Sequence, residues 1–226
     1  MKRLYWVILI TFLVLPLNAQ RIADYGFFGG ISYYTGDINP GRYFYAPSPS
    51  AGLFYRVNIH PRHSLRWNLY YGGIQGNDLD FDNAFQQERG QSFRANLYEM
   101  GMQFEFNFLP YTTTGKWWDY SPYFATGLAL TFSDSPELTY TPVIPLTLGF
   151  KLNIFKNTGL ELEYSFRKTF YDNFDGLTDN INPDHRTWTH NNDWYMFAGV
   201  SVTWKMFHTM IQCPAYDEWR DKRNPY

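Results

Sequence analysis

Cysteine is almost absent from this chain of 226 residues, in which Cys213 is the only one. A framework of internal disulfides is therefore excluded, because each bond needs two cysteines. Charged residues make up only 18% of the chain and the formal net charge is −2. This excludes the strongly basic balance that is typical of nucleic-acid-binding proteins. After residue 19, no run reaches the roughly 18 apolar residues of a transmembrane helix, so any membrane insertion must use β-strands.

The N-terminus has the three parts of a secretory signal peptide. Lys2 and Arg3 form a charged start, residues 4–15 form an apolar segment, and residues 17–19 form a small-residue cleavage site. We therefore expect residues 1–19 to be removed on export, which leaves Gln20 as the first residue of the mature protein. A retained N-terminal anchor is the alternative.

Aromatic residues, in contrast, are abundant at 21% of the chain, and they recur with a period of two. In residues 98–108 the even positions are all apolar, whereas the odd positions include Glu99, Gly101 and Glu105. This alternation predicts a β-strand with one apolar and one polar face. At roughly 3.3 Å per residue the segment is long enough to cross a bilayer at a tilt.

The same design repeats along the chain, with no amphipathic helix predicted between the repeats. It predicts eight strands: 25–34, 50–59, 64–74, 93–108, 122–132, 145–154, 160–170 and 194–207. Such a set closes as an all-β, antiparallel, up-and-down barrel. Two versions compete, a soluble barrel with the apolar face inward around a ligand and a transmembrane barrel with that face outward in lipid.

Three features favour the transmembrane version. The polar face carries many glycines, as the narrow lumen of an eight-stranded barrel requires. Its charges are of mixed sign, which suits buried ion pairs. Trp and Tyr recur near the strand ends, as in interfacial girdles. The predicted lumen ion pairs involve Glu99, Glu105, Glu161 and Glu163 on one side and Arg56, Arg66, Lys151 and Arg167 on the other, with a transport path through these charges as the alternative.

The barrel predicts an orientation and three regions. A signal peptide (1–19) precedes the barrel (20–207), and a tail (208–226) follows it. Since outer-membrane barrels have short periplasmic turns and longer extracellular loops, turns 60–62 and 156–158 are expected in the periplasm together with both chain ends. Segments 35–49, 75–92, 133–142 and 171–193 are then extracellular. Segment 109–120 is a periplasmic connection that is longer than the other two periplasmic turns.

Motifs for metal binding or catalysis are weak. Asp78, Asp80 and Asp82 have the spacing of a calcium loop, but Asn83 and Arg89 stand where that motif needs Gly and Glu. A solvated acidic loop is the preferred interpretation. The histidine pairs 60/63 and 185/190 lack further ligands at metal spacing, and no nucleophile motif supports an enzyme. We therefore expect no metal, no cofactor and no catalytic site.

The tail is the part of the chain that the barrel does not explain. In an oxidising periplasm, the lone Cys213 suggests an intermolecular disulfide or a reactive thiol, with an idle thiol as the alternative. Pro214 disfavours helix at the cysteine and keeps the thiol on an extended segment. Tyr216 and Trp219 are of the type that dominates interface hot spots. These four residues are the predicted partner-binding site.

Five segments in order resemble the PorG-like outer-membrane proteins of the type IX secretion and gliding machinery. They are SYYTGDINP (32–40), YEMGMQFEFNFLPY (98–111), SPYFATGLA (121–129), LELEYSFRKTFYDNFDGLTD (160–179) and CPAY (213–216). The resemblance implies a non-enzymatic eight-stranded barrel that ties a periplasmic ring lipoprotein to the outer membrane. Two other functions stay open: a stand-alone barrel that adheres or binds ligands through its external loops, and a lipid-modifying barrel enzyme.

Overall fold

The computed structural model describes residues 23–36, 38–39, 41–113, 118–134, 139–155, 157–170 and 193–205. The expected signal peptide (1–19) and the tail (208–226), including Cys213, Pro214, Tyr216 and Trp219, lie outside these residues, as does most of segment 171–193. Within the described residues, no helix is long and apolar enough to cross a membrane.

Eight antiparallel strands close into a barrel in sequence order, with β1 paired to both β2 and β8. The fold class predicted from the alternating pattern is therefore confirmed. The strands are β1 Ala23–Thr35, β2 Ser48–His60, β3 His63–Asn77, β4 Ser92–Asn107, β5 Tyr120–Ser133, β6 Thr139–Phe155, β7 Thr158–Thr169 and β8 Trp194–Lys205. We call the end with connections 61–62 and 156–157 the turn end, and the opposite end the loop end.

The faces of the strands follow the predicted parity. On the outer wall, Leu148 and Leu162 expose 54% and 53% of their surface, whereas the inward Glu105 and Glu161 expose none. An exposed apolar belt around charged interior residues is the arrangement of a transmembrane barrel. The soluble version, with its apolar face inward, is excluded by this exposure.

Two strands and one loop differ from the sequence prediction. Strand β6 begins at Thr139 rather than at residue 145, so Pro142 and Pro145 lie inside it. The ladder with β5 tolerates Pro145 because it is interrupted between the pairs Thr126–Leu146 and Ala129–Val143, where Pro145 has no N–H to donate, whereas Pro142 stays paired with Leu130. Strand β3 extends to Asn77, and the shortened loop after it forms a 3₁₀ turn, Asp78–Asp80, and a helix α1, Ala84–Arg89.

The side chain of Tyr33 points outward but is covered. It lies on the outer face of β1, yet its exposed fraction is 0%. Phe44, in the connection between β1 and β2, packs on the Tyr33 ring with 5.1 Å between the ring centroids. The Tyr33 hydroxyl is hydrogen-bonded to the Tyr164 hydroxyl on β7. The backbone of Phe44 has a φ of +56°, in the left-handed region that ordinary residues rarely adopt. This connection therefore covers the outer wall of β1 and β7 near the loop end.

Gly127 on β5 lies where the backbone of β4 leaves no room for a side chain. A Cβ added there would collide with the carbonyl oxygen of Met102 and would lie 2.8 Å from the Cα of Gln103, both in the backbone of β4. We expect Gly127→Ala to destabilise the barrel by about 1–3 kcal/mol, because the backbone of β4 cannot rotate away as a side chain could. Urea unfolding of the refolded protein in lipid vesicles measures this loss.

Gly29→Ala is the matched control, since a Cβ at Gly29 has no atom within 4 Å. It should unfold within about 0.5 kcal/mol of the parent. Equal stability of the two variants would contradict the close contact between β4 and β5.

Candidate functional site: a filled lumen closed at both ends

The lumen holds a connected set of ion pairs in the half nearer the turn end. Glu105 on β4 is its centre. Its carboxylate lies 2.6 Å from Lys151 Nζ, 2.7 Å from Arg56 Nε and 3.3 Å from Arg66 Nη1. These four side chains come from four strands, and each exposes 1% or less of its surface. The network therefore ties β2, β3, β4 and β6 together across the barrel.

Two further glutamates complete this network from β7. Glu161 accepts hydrogen bonds of 2.6 Å from both Nη1 and Nη2 of Arg56. Glu163 accepts a pair of 2.6 and 3.0 Å from Arg66. Such two-pronged bonds are the strongest form of an arginine–carboxylate pair. Every cation of the network thus has at least one carboxylate, which offsets much of the cost of burying its charge.

A separate pair lies nearer the loop end. Arg167 Nε is 2.9 Å from Glu99 Oε2, and the same oxygen accepts a 2.6 Å bond from the hydroxyl of Tyr195. Nearer the loop end Tyr34, Ile38, Ile74 and Leu97 form a fully buried cluster, and the Tyr34 hydroxyl donates a 2.6 Å bond to the buried Asp193. All eight lumen residues named from the sequence thus lie inside the barrel and take part in ion pairs.

Sequence reasoning did not name the aromatic residues that fill the rest of the lumen. Phe54 lies between two guanidinium groups. Its ring centroid is 3.9 Å from Cζ of Arg66 and 5.0 Å from Cζ of Arg56. Tyr70 and Phe197 stack at 5.2 Å between centroids. The signal for these residues was present, because parity places each of them on the polar face of its strand.

The long connection at the turn end folds back under the barrel. We call residues 108–113 the lid. The Tyr111 hydroxyl donates a 2.6 Å bond to Asn153, and the Thr113 hydroxyl donates a 2.7 Å bond to Asp24 of β1. Burial raises the pKa of Tyr111, so its phenol stays protonated as a donor. The lid thus reaches across the turn end from β6 to β1, which explains why this connection is longer than the other two.

The loop end is closed by a second folded segment, residues 78–91, which we call the cap. Asn83 and Gly90 bound its helix α1, Asn83 as the N-cap and Gly90 in the left-handed conformation. The Gln86 side chain donates a 2.8 Å bond to the carbonyl of the buried Ile38, and Tyr45 donates a 2.6 Å bond to Asp80. The cap and the first connection are therefore joined over the barrel mouth.

Asp78 was predicted to lie in a solvated acidic loop, and this prediction is wrong. The residue is buried, and both its oxygens accept 2.6 Å bonds from Arg89. Burial by itself would raise the pKa of Asp78, but the bonds from the Arg89 guanidinium and the Gln91 amide lower it below its usual value. Asp80 is bonded to Tyr45, so the three aspartates do not converge. No group of metal-binding side chains is found among the described residues.

We expect Asp78→Asn to raise the rate of trypsin cleavage after Arg89 about tenfold, because a neutral partner loses most of a charged hydrogen bond. Since the pKa of Asp78 is lowered in the folded state, its contribution is present above the ordinary aspartate pKa and is lost only as the pH falls through the folded value. Relative to the cleavage of a short unstructured arginine peptide by the same trypsin, parent cleavage should therefore not change between about pH 8 and pH 5. The exposed Asp82→Asn serves as control, and equal cleavage of both variants would contradict this cap structure.

Of the four histidines predicted as pairs, the structure describes one pair. His60 and His63 lie at the turn end with ring centroids 5.7 Å apart, and the His63 ring stacks on Phe104 at 5.6 Å. These contacts are aromatic packing. His185 and His190 lie outside the described residues.

Comparison with known proteins gives a family and a fold. Residues 2–215 match the family described as "Domain of unknown function (DUF6089)". No curated protein matches the chain. The crystal structure of Neisserial surface protein A (NspA) is similar at 13% identity, covers 81% of this chain and 97% of its own, and has a TM-score of 0.50. The outer membrane protein OprG from Pseudomonas aeruginosa matches at 10% identity, over 84% and 98% of the two chains, with a TM-score of 0.45.

Proposed function

Since the chain belongs to the DUF6089 family, we propose that it is a non-enzymatic outer-membrane component of the type IX protein secretion machinery. In this role the barrel anchors a periplasmic ring lipoprotein to the outer membrane. Support for the machinery comes from the five ordered segments that resemble PorG-like proteins. Support for an anchor, rather than a channel or an enzyme, comes from the barrel itself.

The observation that carries the proposal is the filled lumen. Eight strands leave an interior only just wide enough for side chains, and here ion pairs and aromatic rings occupy it between the lid and the cap. A barrel of this kind has no wide path for a substrate to pass. Such a barrel is well suited to stay inserted in the bilayer and to present a rigid surface on either side of it.

The periplasmic side is where we place the partner. In outer-membrane barrels the short turns lie in the periplasm, which puts the lid and the end of β8 at Lys205 on that side. The tail 208–226 follows, with Cys213, Pro214, Tyr216 and Trp219. We propose that these residues dock on the ring lipoprotein, with a disulfide from Cys213 as the covalent form of the contact.

The experiment compares three variants in the native cell. Truncation after Phe207 should leave an inserted barrel that neither retains the ring nor supports secretion. Cys213→Ser should abolish a shifted band that the parent gives on a non-reducing gel of whole outer membranes. Thr209→Ala in the same tail is the control and should keep both the band and secretion. Full secretion by the truncated protein would overturn the proposal.

A second function is favoured by one feature of the loop end. The cap holds Leu79 and Phe85 exposed, at 56% and 62% of their surface. Bonds of 3.1 and 2.7 Å from the Gln87 side chain to the carbonyls of Leu79 and Phe81 hold this part of the cap in place. A preordered apolar surface of this kind suits adhesion or ligand binding by a stand-alone barrel. Leu79→Ser combined with Phe85→Ser should then abolish attachment and leave secretion unchanged, whereas an anchor would show no loss of attachment.

A further inference from the structure

The outer wall carries a groove that the closed barrel does not require. It has a volume of about 550 Å³ and runs over strands β1 to β5. Phe27 and Leu53 lie at its lower part, at mid-height of the wall, and Phe132 lies at its upper part near the loop end. Tyr71 and Met100 line it between them. These side chains expose between 36% and 56% of their surface, so the groove opens outward.

Small residues create the recess. Ala51 of β2 lies in the groove, and Gly29 of β1 is its direct partner in the strand register. Both are exposed on the outer face. A Cβ at Gly29 would meet nothing within 4 Å, and the residue does not have a positive φ. Neither packing nor backbone conformation within the described chain therefore requires glycine there.

The occupant of the groove can be inferred from the surface around it. The groove is continuous with the apolar belt that faces lipid, where Leu69 and Met100 expose 54% and 56% of their surface. Lining atoms that face an empty gap lose their dispersion contacts on one side, and apolar surface of this kind does not favour water. The flexible apolar molecule that is present all along this belt is the acyl chain of a lipid.

The polarity along the groove has the same direction as that of a lipid molecule. At its loop end, the Tyr71 hydroxyl donates a 3.1 Å bond to Asn96. The Asn96 backbone N–H and side-chain amide donate bonds of 2.6 and 2.7 Å to Asp134. These bonds lower the pKa of Asp134, so this edge is charged and hydrated. The groove thus passes from apolar at mid-height to polar at the rim, as a lipid does from chain to headgroup.

We propose that this groove binds one acyl chain of a membrane lipid from the leaflet on the loop side, with the headgroup at the Asn96–Asp134 edge. Ala51 lines the groove, its neighbour Gly29 leaves the β1 side open, and the aromatic and aliphatic walls provide the contact. The side chains that carry the proposal lie on the outer face, apart from the ion pairs of the lumen and from the lid. The site is therefore independent of the anchoring role and stands or fails separately from it.

Native mass spectrometry of the full chain tests this site. The protein is refolded into dioleoylphosphatidylcholine vesicles, whose choline cation suits the Asp134 carboxylate, and is extracted in mild detergent, and a separate aliquot is checked for folding by its faster migration in an unheated gel. The parent should carry one retained phospholipid. Ala51→Phe should lower the lipid-bound fraction about tenfold, the factor expected when roughly two methylene groups lose their contacts.

Two further variants keep the outcome decisive. Gly29→Phe fills the same recess from β1 and should have the same effect, so the test stands even if Ala51→Phe does not fold. Leu162→Phe adds a ring to the lipid-facing wall of β7, away from the groove, and should keep the lipid. Retention that does not change in both groove variants, or a parent without lipid, would overturn the proposal. A doubled mass that Ala51→Phe abolishes would assign the groove to a second copy of the chain instead.

Discussion

Replacing Glu105 by glutamine should destabilise the barrel by about 3–5 kcal/mol, the cost of removing one partner from a buried ion pair. The reason is Lys151, whose ammonium lies 2.6 Å from Glu105 and 3.1 Å from the neutral Asn107. Without the carboxylate, its charge stays buried with only a neutral acceptor. Arg56 and Arg66 are less affected, because each keeps a two-pronged bond to a glutamate of β7. Urea unfolding in lipid vesicles measures the difference.

The double variant Glu105→Gln with Lys151→Met separates charge from packing. It removes the buried charge that Glu105→Gln leaves without a partner, so it should be more stable than the single variant although it carries one more substitution. Glu88→Gln, on the exposed side of helix α1, should stay within about 0.5 kcal/mol of the parent. Lys151→Met alone completes the cycle, and if the loss in the double variant equals the sum of the losses in the two single variants, the ion pair does not act as the structure indicates.

Leu148→Arg should cost about 2–4 kcal/mol, as a cation at the middle of the lipid-facing wall does in outer-membrane barrels. Leu148 lies near the centre of β6 and exposes 54% of its surface. Tyr140→Arg is the matched control on the same strand, since Tyr140 lies near the loop end and exposes 72% of its surface. Its cost should fall to about 0–1 kcal/mol, because near the interface an arginine reaches the headgroups and water.

The difference in stability cost between Leu148→Arg and Tyr140→Arg tests the membrane placement better than either cost alone. Both residues point outward from one strand, so local strand propensity affects them alike. Gly149→Trp adds a test of the inner face, because even a Cβ there would collide with the Tyr123 ring and approach the Leu162 carbonyl oxygen to 2.6 Å. If Leu148→Arg and Gly149→Trp both inserted like the parent, the assignment of inner and outer faces would be wrong.

The sequence was sufficient for the barrel and for its two faces, because a period of two depends only on neighbours along one strand. Parity placed Glu161 inside and Leu162 outside without any knowledge of their partners. It could not pair Glu161 with Arg56, which is 105 residues away in sequence. That contact depends on how far the strands are staggered around the barrel, a property of closure that no single strand encodes.

The connections were harder to predict, because their side chains obey no period. Tyr33 was correctly placed on the outer face, but a loop residue, Phe44, covers it. Asp78 has calcium-loop spacing, yet it pairs with Arg89 eleven positions later. The length of segment 109–120 marked it as unusual, whereas the inward turn of Tyr111 depends on its bond to Asn153 across the barrel.

The filled lumen, the lid and the cap explain each other. The charged side chains of the lumen network pair with one another, and the lid and the cap lie over its two ends. The barrel is then a firm body in the membrane, with its variable chemistry at the two ends and on the outer wall. This division suits a structural component that holds other proteins in place.

Conductance across a planar lipid bilayer tests this account most directly. The refolded full-length protein is inserted, its insertion is verified by recovery from the bilayer lipid, and a general porin serves as the positive control. A lumen filled by the Glu105 network and closed by the Tyr111 lid predicts a current that stays at the level of the bare bilayer. Reproducible single-channel steps would mean that the lumen opens, and they would contradict the account of a closed structural anchor.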